Sequence, residues 1–294
     1  MKRSIGLLLL PLLLILGCAK APITGRTELM MVSPQEEMAL GYQAEKEILK
    51  TEKLSHNPKY VDMVNRVGHR IARATGLKLD WKFYVIDKPD TPNAFCLPNG
   101  HIFVYTGLFK YISNDAQLAT VLAHEVGHAI AHHSAERMSV AMMTNLAAIV
   151  AATAINRNVH NREEQALYDA ALGIGANVGV MLPYSRMQES EADHIGLILM
   201  AEACYDPREA LKFWEKFAKA NGGKEPPVYF SDHPSTPQRI AHLKELMPQA
   251  LKIYRDDCLG PRRRLDDASP AAKPAEKRTH DKAPSPALLG EPVS

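Results

Sequence analysis

The sequence predicts a predominantly helical α+β domain over residues 33–258, with a small sheet packed on one buried helix. Three observations carry this. Helix-forming runs with recognisable caps fill most of the chain. Only two short segments, Trp81–Ile86 and His101–Tyr105, read as strands. A helix-forming run from Leu118 to Ala131 is apolar on both sides of its central five residues, Val121–Ala123 before and Ala129–Ala131 after, as a buried helix requires. The chain has 294 residues, 46% of them hydrophobic, which is enough for one sizeable core. Its formal charge is +2, and no basic stripe interleaves with aromatics, so nucleic acid is not an expected partner.

The elements follow in order. Lys2 and Arg3 precede a Leu-rich run from Ile5 to Leu16, too short to span a bilayer comfortably. Gly17-Cys18 closes that run and resembles a bacterial lipoprotein signal. The resemblance implies that residues 1–17 are a signal peptide and that Cys18 is lipidated and holds the chain to a membrane. Ala19 favours the outer over the inner membrane by the sorting rule of enteric bacteria. Residues 18–32 read as a lipid-anchored linker. Ser33-Pro34-Gln35-Glu36 forms a capping box with Pro at the first helical position, opening a helix to about Lys53. Asn57-Pro58 opens a second, with Val61, Val64, Val67 and Ile71 at helical spacing and Gly76 at its end. The two strands follow, the second framed by Gly100 and Gly107.

The buried helix starts near Ser113 or Asn114. The Ala- and Met-rich run from Met138 to Ile155 reads as a core helix rather than a membrane-contacting lid, since Thr144 and Asn145 interrupt it. A polar loop over 156–164, a small-residue helix from Ala166 to Leu182 ended by Pro183, and a helix from Arg186 to Ala203 come next. Asp206-Pro207 caps another to about Ala220, and Pro237–Leu246 gives a late short helix. Residues 259–294 shift to Pro, Ala and charge and read as a disordered tail, with Arg262-Arg263-Arg264 solvated. With Cys18 lipidated, Cys96, Cys204 and Cys258 remain; an oxidising compartment permits one bridge, and Cys204–Cys258 is the expected pair.

The buried helix carries His124-Glu125-Val126-Gly127-His128. Two His four residues apart project from one helix face about a turn apart, so both imidazoles reach one metal ion. Glu125 beside the first is placed to hold and deprotonate a metal-bound water, the H-E-x-x-H arrangement of zinc peptidases. A buried imidazole pair beside a carboxylate needs partners, and a metal supplies them. A catalytic zinc needs a third protein ligand. Candidates cluster at Glu189-Ser190-Glu191-Ala192-Asp193-His194, where helical spacing puts Glu189 and Asp193 on one face and turns Glu191 away. Glu189 as a ligand, with Asp193 orienting a ligating His from behind, makes a consistent pair; the alternative reading of this run is an acidic solvent face.

His124-Glu125-x-x-His128, followed by Ser185-Arg186-x-x-Glu189-x-x-x-Asp193, resembles family forty-eight of the metallopeptidases, which includes HtpX-type and CaaX prenyl-protease enzymes. The closer resemblance is to its periplasmic lipoprotein branch. Pro22-Ile23-Thr24-Gly25-Arg26 resembles the segment after the lipidated Cys. Asn93-Ala94-Phe95 and Gly100-x-Ile102-x-Val104-x-Thr106-Gly107-Leu108 resemble the substrate-edge strand, and His233-Pro234-Ser235-Thr236-Pro237-x-Arg239-Ile240 the C-terminal motif. The resemblance covers roughly residues 22–250. It implies a zincin-like (gluzincin) domain with one zinc per chain on His124, His128 and Glu189, and Glu125 as general base. It places Asp193 and Arg239 behind the ligands. His233 becomes a fourth ligand in a latent state or an oxyanion stabiliser in an active one, and His133 is structural. Cys96 and Cys204 depart from the family pattern; Gly commonly stands at the second position. The expected function is a zinc endopeptidase of the bacterial envelope acting on unfolded or misassembled proteins, held extended along the strand Ile102–Tyr105. The competing reading is a non-enzymatic holdase or assembly factor, which has no need of the base Glu125.

Overall fold

The computed structural model describes residues 18–156, 182–220, 233 and 237–259. The expected signal peptide, the loop and small-residue helix expected after Asn156, and the tail from Gly260 lie outside them. The architecture is the predominantly helical α+β one that the sequence predicts.

Residues 18–32 are not a linker. Strands β1 (Cys18–Lys20) and β2 (Thr27–Leu29) pair antiparallel, Cys18 opposite Leu29. Gly25 takes a left-handed φ of 69° in the turn, where glycine carries no steric cost. Ala21 and Val32 are buried, and Arg26 reaches carboxylates far along the chain, Glu136 and Glu191.

Helix α1 (Pro34–Thr51) has the expected capping box on Ser33 and Glu36. Helix α2 (Pro58–Ala74) is capped by Asn57 and buries Val64, Val67 and Ile71; Gly76 follows at φ 66°. Strands β3 (Lys82–Ile86), β4 (Ala94–Cys96) and β5 (His101–Tyr105) form a sheet in the order β3-β5-β4. β3 runs parallel to β5 and β4 antiparallel to it. Tyr84, Phe103 and Phe95 pair across one face as a row of stacked rings. Val85, Val104, Ala94 and Ile102 enter the hydrophobic core. The strand His101–Tyr105 is therefore central, with both edges taken, and cannot hold substrate as expected. Among the described residues the outer edge of β4 pairs with no further strand.

Helix α3 (Asp115–Ile130), capped by Asn114 through a bond from the Gln117 amide, lies at the centre. Helix α2, strand β4 and two later helices, α5 (Leu182–Glu202) and α6 (Arg208–Ala220), pack around it. Helix α4 (His133–Asn156) leaves α3 through His132, a non-glycine residue at φ 47° held by Glu37. It was expected to be buried, yet Met138, Met142, Leu146 and Ile149 are exposed, 63% for Ile149. Its Ala-rich composition is that of a core helix, but composition alone does not bury a face. No described helix is long and apolar enough to cross a membrane.

Helix α5 (Leu182–Glu202) begins a turn before the expected Arg186, with Pro183 inside its first turn, where a missing N–H breaks no helical bond. Helices α6 (Arg208–Ala220) and α7 (Pro237–Tyr254) complete the core. α7 runs past the expected Leu246 and through Pro248, since Leu251, Ile253 and Tyr254 still pack on the core. A π-helical turn, Arg255–Leu259, follows.

The expected Cys204–Cys258 disulfide joins the end of α5 to this turn, and Cys96 is free. Cys204 sits at φ 58°, which explains why glycine is common there in the resembling family. The bridge closes a separation of 54 residues, so Cys204→Ser with Cys258→Ser should lower stability by about 2–4 kcal/mol. Urea unfolding of the oxidised protein and the double variant measures this.

Candidate active site

His124 and His128 stand on successive turns of α3, with their Nε2 atoms 3.1 Å apart. Helix α5 crosses α3 at two glycines. A Cβ on Gly196 would lie 2.9 Å from the His124 nitrogen, and one on Gly127 would lie 3.0 Å from the Ala192 carbonyl oxygen. This backbone contact, seven residues along from Glu189, brings that carboxylate onto the two imidazoles. Its Oε2 is 3.4 Å from His124 Nε2 and its Oε1 3.2 Å from His128 Nε2. His233 comes from a different part of the chain, with Nδ1 2.9 Å from Glu189 Oε2 and 3.2 Å from His124 Nε2. His124, His128, Glu189 and His233 each present one donor atom, all within 4.8 Å of one another.

Behind this face, His124 Nδ1 is 3.0 Å from Asp193 Oδ1, as the shared face of Glu189 and Asp193 predicts. Arg239 on α7 lies 2.5 Å from the same Asp193 oxygen, and its guanidinium covers the Trp214 ring at 3.5 Å. Glu125 is 3% exposed, with Oε1 3.7 Å from His233 Nε2. All the residues expected at the site thus converge. Cys18 is placed in β1, away from them in sequence, and its side chain lies outside the description.

Charge explains what the pocket can hold. Burial opposes ionisation of Glu189, but the imidazoles of His124, His128 and His233 around it outweigh burial and hold the carboxyl far below its ordinary range. Burial likewise opposes ionisation of Asp193, and Arg239 and His124 outweigh it. Burial and Arg239 push His124 down, yet Asp193 and Glu189 raise it to about 9. Burial drives His128 well below the ordinary imidazole value, leaving it neutral. Two ionised carboxylates thus draw positive charge to a point faced by imidazole nitrogens. Nitrogen donors with one carboxylate, with Asp193 behind His124 and His133 behind His128, suit zinc.

Two residues acquire roles that spacing could not reveal. Glu191 does turn away from Glu189, but it is 6% exposed, not a solvent face. It accepts from His133 Nε2 at 3.1 Å, while His133 Nδ1 lies 2.8 Å from His128 Nδ1. The partners of Glu191 are 58 and 165 residues distant, so no local pattern marks them.

Residues 58–247 match the profile of peptidase family M48. The chain is 36% identical over 243 residues to the mitochondrial metalloendopeptidase OMA1 of Schizosaccharomyces pombe, covering 81% of this chain and 69% of that one. It is 33% identical over 252 residues to the human mitochondrial metalloendopeptidase OMA1, covering 81% and 47% of the two chains. It is 27% identical over 259 residues to the β-barrel assembly-enhancing protease of Escherichia coli, covering 83% and 51%. The chain therefore spans about half the length of the human and Escherichia coli relatives. With a helix-borne His pair, a facing carboxylate and a buried glutamate beside them, this chain belongs to peptidase family M48, the metallopeptidases.

Proposed function

We infer that the protein is a zinc endopeptidase of the bacterial cell envelope, lipid-anchored through Cys18 and facing the periplasm, that cuts unfolded or misassembled proteins. The four-donor cluster with Glu125 at its side carries the reading. His124, His128 and Glu189 would hold the zinc, which when bound would acidify a water to a pKa of about 7 and polarise the scissile carbonyl. Glu125 takes the proton from the attacking water and returns it to the leaving amine. Asp193 fixes the His124 tautomer, and Arg239 balances the charge of Asp193. The position of His233 among the ligands supports its role as a fourth donor that closes the site until substrate displaces it.

Strand β4, packed on α3 with an outer edge that pairs with no strand among the described residues, takes the place of the central strand as the surface for an extended substrate. Pairing with a strand edge reads backbone more than side chains. A folded protein keeps its backbone paired, so the unfolded form is favoured. The lipobox-like Gly17-Cys18-Ala19 supports an anchor in the outer membrane, and the Escherichia coli relative's name supports envelope clients such as assembling β-barrels. The full chain should cleave casein in a chelator-sensitive manner and should cut a reduced, unfolded form of one protein faster than its native form. Equal rates on the two forms would remove the preference for unfolded clients. No cleavage by zinc-loaded protein, even as His233→Ala, would remove the peptidase reading.

A further inference from the structure

A buried line of hydrogen bonds joins the N-terminal hairpin to the back of His128. Arg26, at the end of the β1–β2 turn, forms a fork with both oxygens of Glu136 at 2.6 Å. Its Nε donates to Glu191 Oε2 at 2.5 Å, and the Thr24 hydroxyl donates to the other oxygen of Glu191. Gln188 ties Glu136 to the His133 carbonyl at 3.0 and 3.2 Å. Glu136, Gln188 and His133 are at most 1% exposed, and the line reaches the surface at Arg26 and Thr24.

The protons along this line have one consistent placement. Glu191 receives donors from Arg26, Thr24 and His133, so it acts as an acceptor throughout. His133 therefore carries its proton on Nε2, and its Nδ1 accepts. The 2.8 Å contact between the two Nδ1 atoms then requires the proton to sit on His128. That leaves the His128 Nε2 lone pair bare on the face it shares with His124 and Glu189. Asp193 does the same for His124. Glu28, His133 and Glu191 also converge in space, but the Arg26 guanidinium already supplies the cation there, 3.4 Å from Glu28.

We propose that Arg26 is a positioning residue for the metal ligand His128, acting through Glu191 and His133, so that the hairpin Cys18–Leu29 is a working part of the metal centre. The proposal rests on zinc binding at the four-donor cluster. Its consequence is that the segment beside the membrane anchor sets how firmly the metal is held.

The test measures zinc affinity of the full chain in detergent by competition with a chromogenic chelator, alongside thermal unfolding. Arg26→Gln and His133→Ala should each weaken zinc binding about 10-fold or more, as loss of a ligand's outer partner does. Arg66→Gln, which breaks an exposed pair with Asp115, should leave it unchanged. Free imidazole, filling the space of the lost ring, should restore affinity to His133→Ala relative to the unaltered protein in the same imidazole. If Arg26→Gln does not fold, Arg26→Lys replaces it, keeping the charge without the fork, and the same loss is expected. Affinity unchanged in folded Arg26 and His133 variants overturns the proposal. So does a loss in His133→Ala that imidazole fails to reverse, since a merely structural role predicts that result. Failure of the unaltered protein to bind one zinc would instead overturn the function proposed above.

Discussion

Glu125→Gln should lower peptide cleavage by about 10²–10⁴-fold while the protein still binds one zinc per chain. The substitution preserves volume and hydrogen-bonding shape but removes the group that accepts a proton. Glu125 is adjacent to His124 on α3 and 3% exposed, so an amide there causes no repacking and leaves the metal-facing donors of His124, His128 and Glu189 in place. Burial adds to the effect, because bulk water has little access to replace the base. Side-by-side kcat for casein-derived peptide and zinc content by mass spectrometry give the answer. Retained activity in the zinc-loaded Gln variant would assign the proton transfer to another residue, and His233, 3.7 Å away, would be the next to test.

Gly196→Ala should cost about 1–3 kcal/mol of stability and loosen zinc although residue 196 touches no metal. The added Cβ would meet backbone, 2.9 Å from the His124 nitrogen and 3.0 Å from its Cα. No side chain can swing aside, so α5 must shift away from α3. Asp193, one turn back, and Glu189, two turns back, ride on α5 and move with it. Chelator competition and thermal unfolding together check this. A variant with unaltered zinc affinity would show that Glu189 reaches the imidazoles independently of the crossing.

These two variants mark the line between local and long-range information. The His124, Glu125 and His128 arrangement needs only the helical period, which backbone geometry imposes on any helix. The shared face of Glu189 and Asp193 follows from the same period, and both point at His124 as expected. Caps at Ser33, Asn57 and Asn114 were equally legible, since a cap satisfies amides within three residues of itself. Cys96, Cys204 and Cys258 leave three possible pairs, and the structure closes the expected one, Cys204–Cys258.

The sequence by itself thus determined the helical frame, the metal-binding residue types and the faces they occupy. Only the tertiary structure decided which strand is central, which described helix face is exposed, and what stands behind His124 and His128. Strand pairing across β3, β5 and β4 made His101–Tyr105 central, and nothing in the run of five residues distinguishes a central strand from an edge. The apolar row of Met138, Met142, Leu146 and Ile149 has the composition of a core helix, but burial depends on whether another element arrives. Arg26, Glu191 and His133 look like solvated charge and a stray imidazole until residues 165 and 58 positions apart meet in the interior. Periodicity records what a residue does to its own helix or strand; a hydrogen bond between distant elements leaves no period to read.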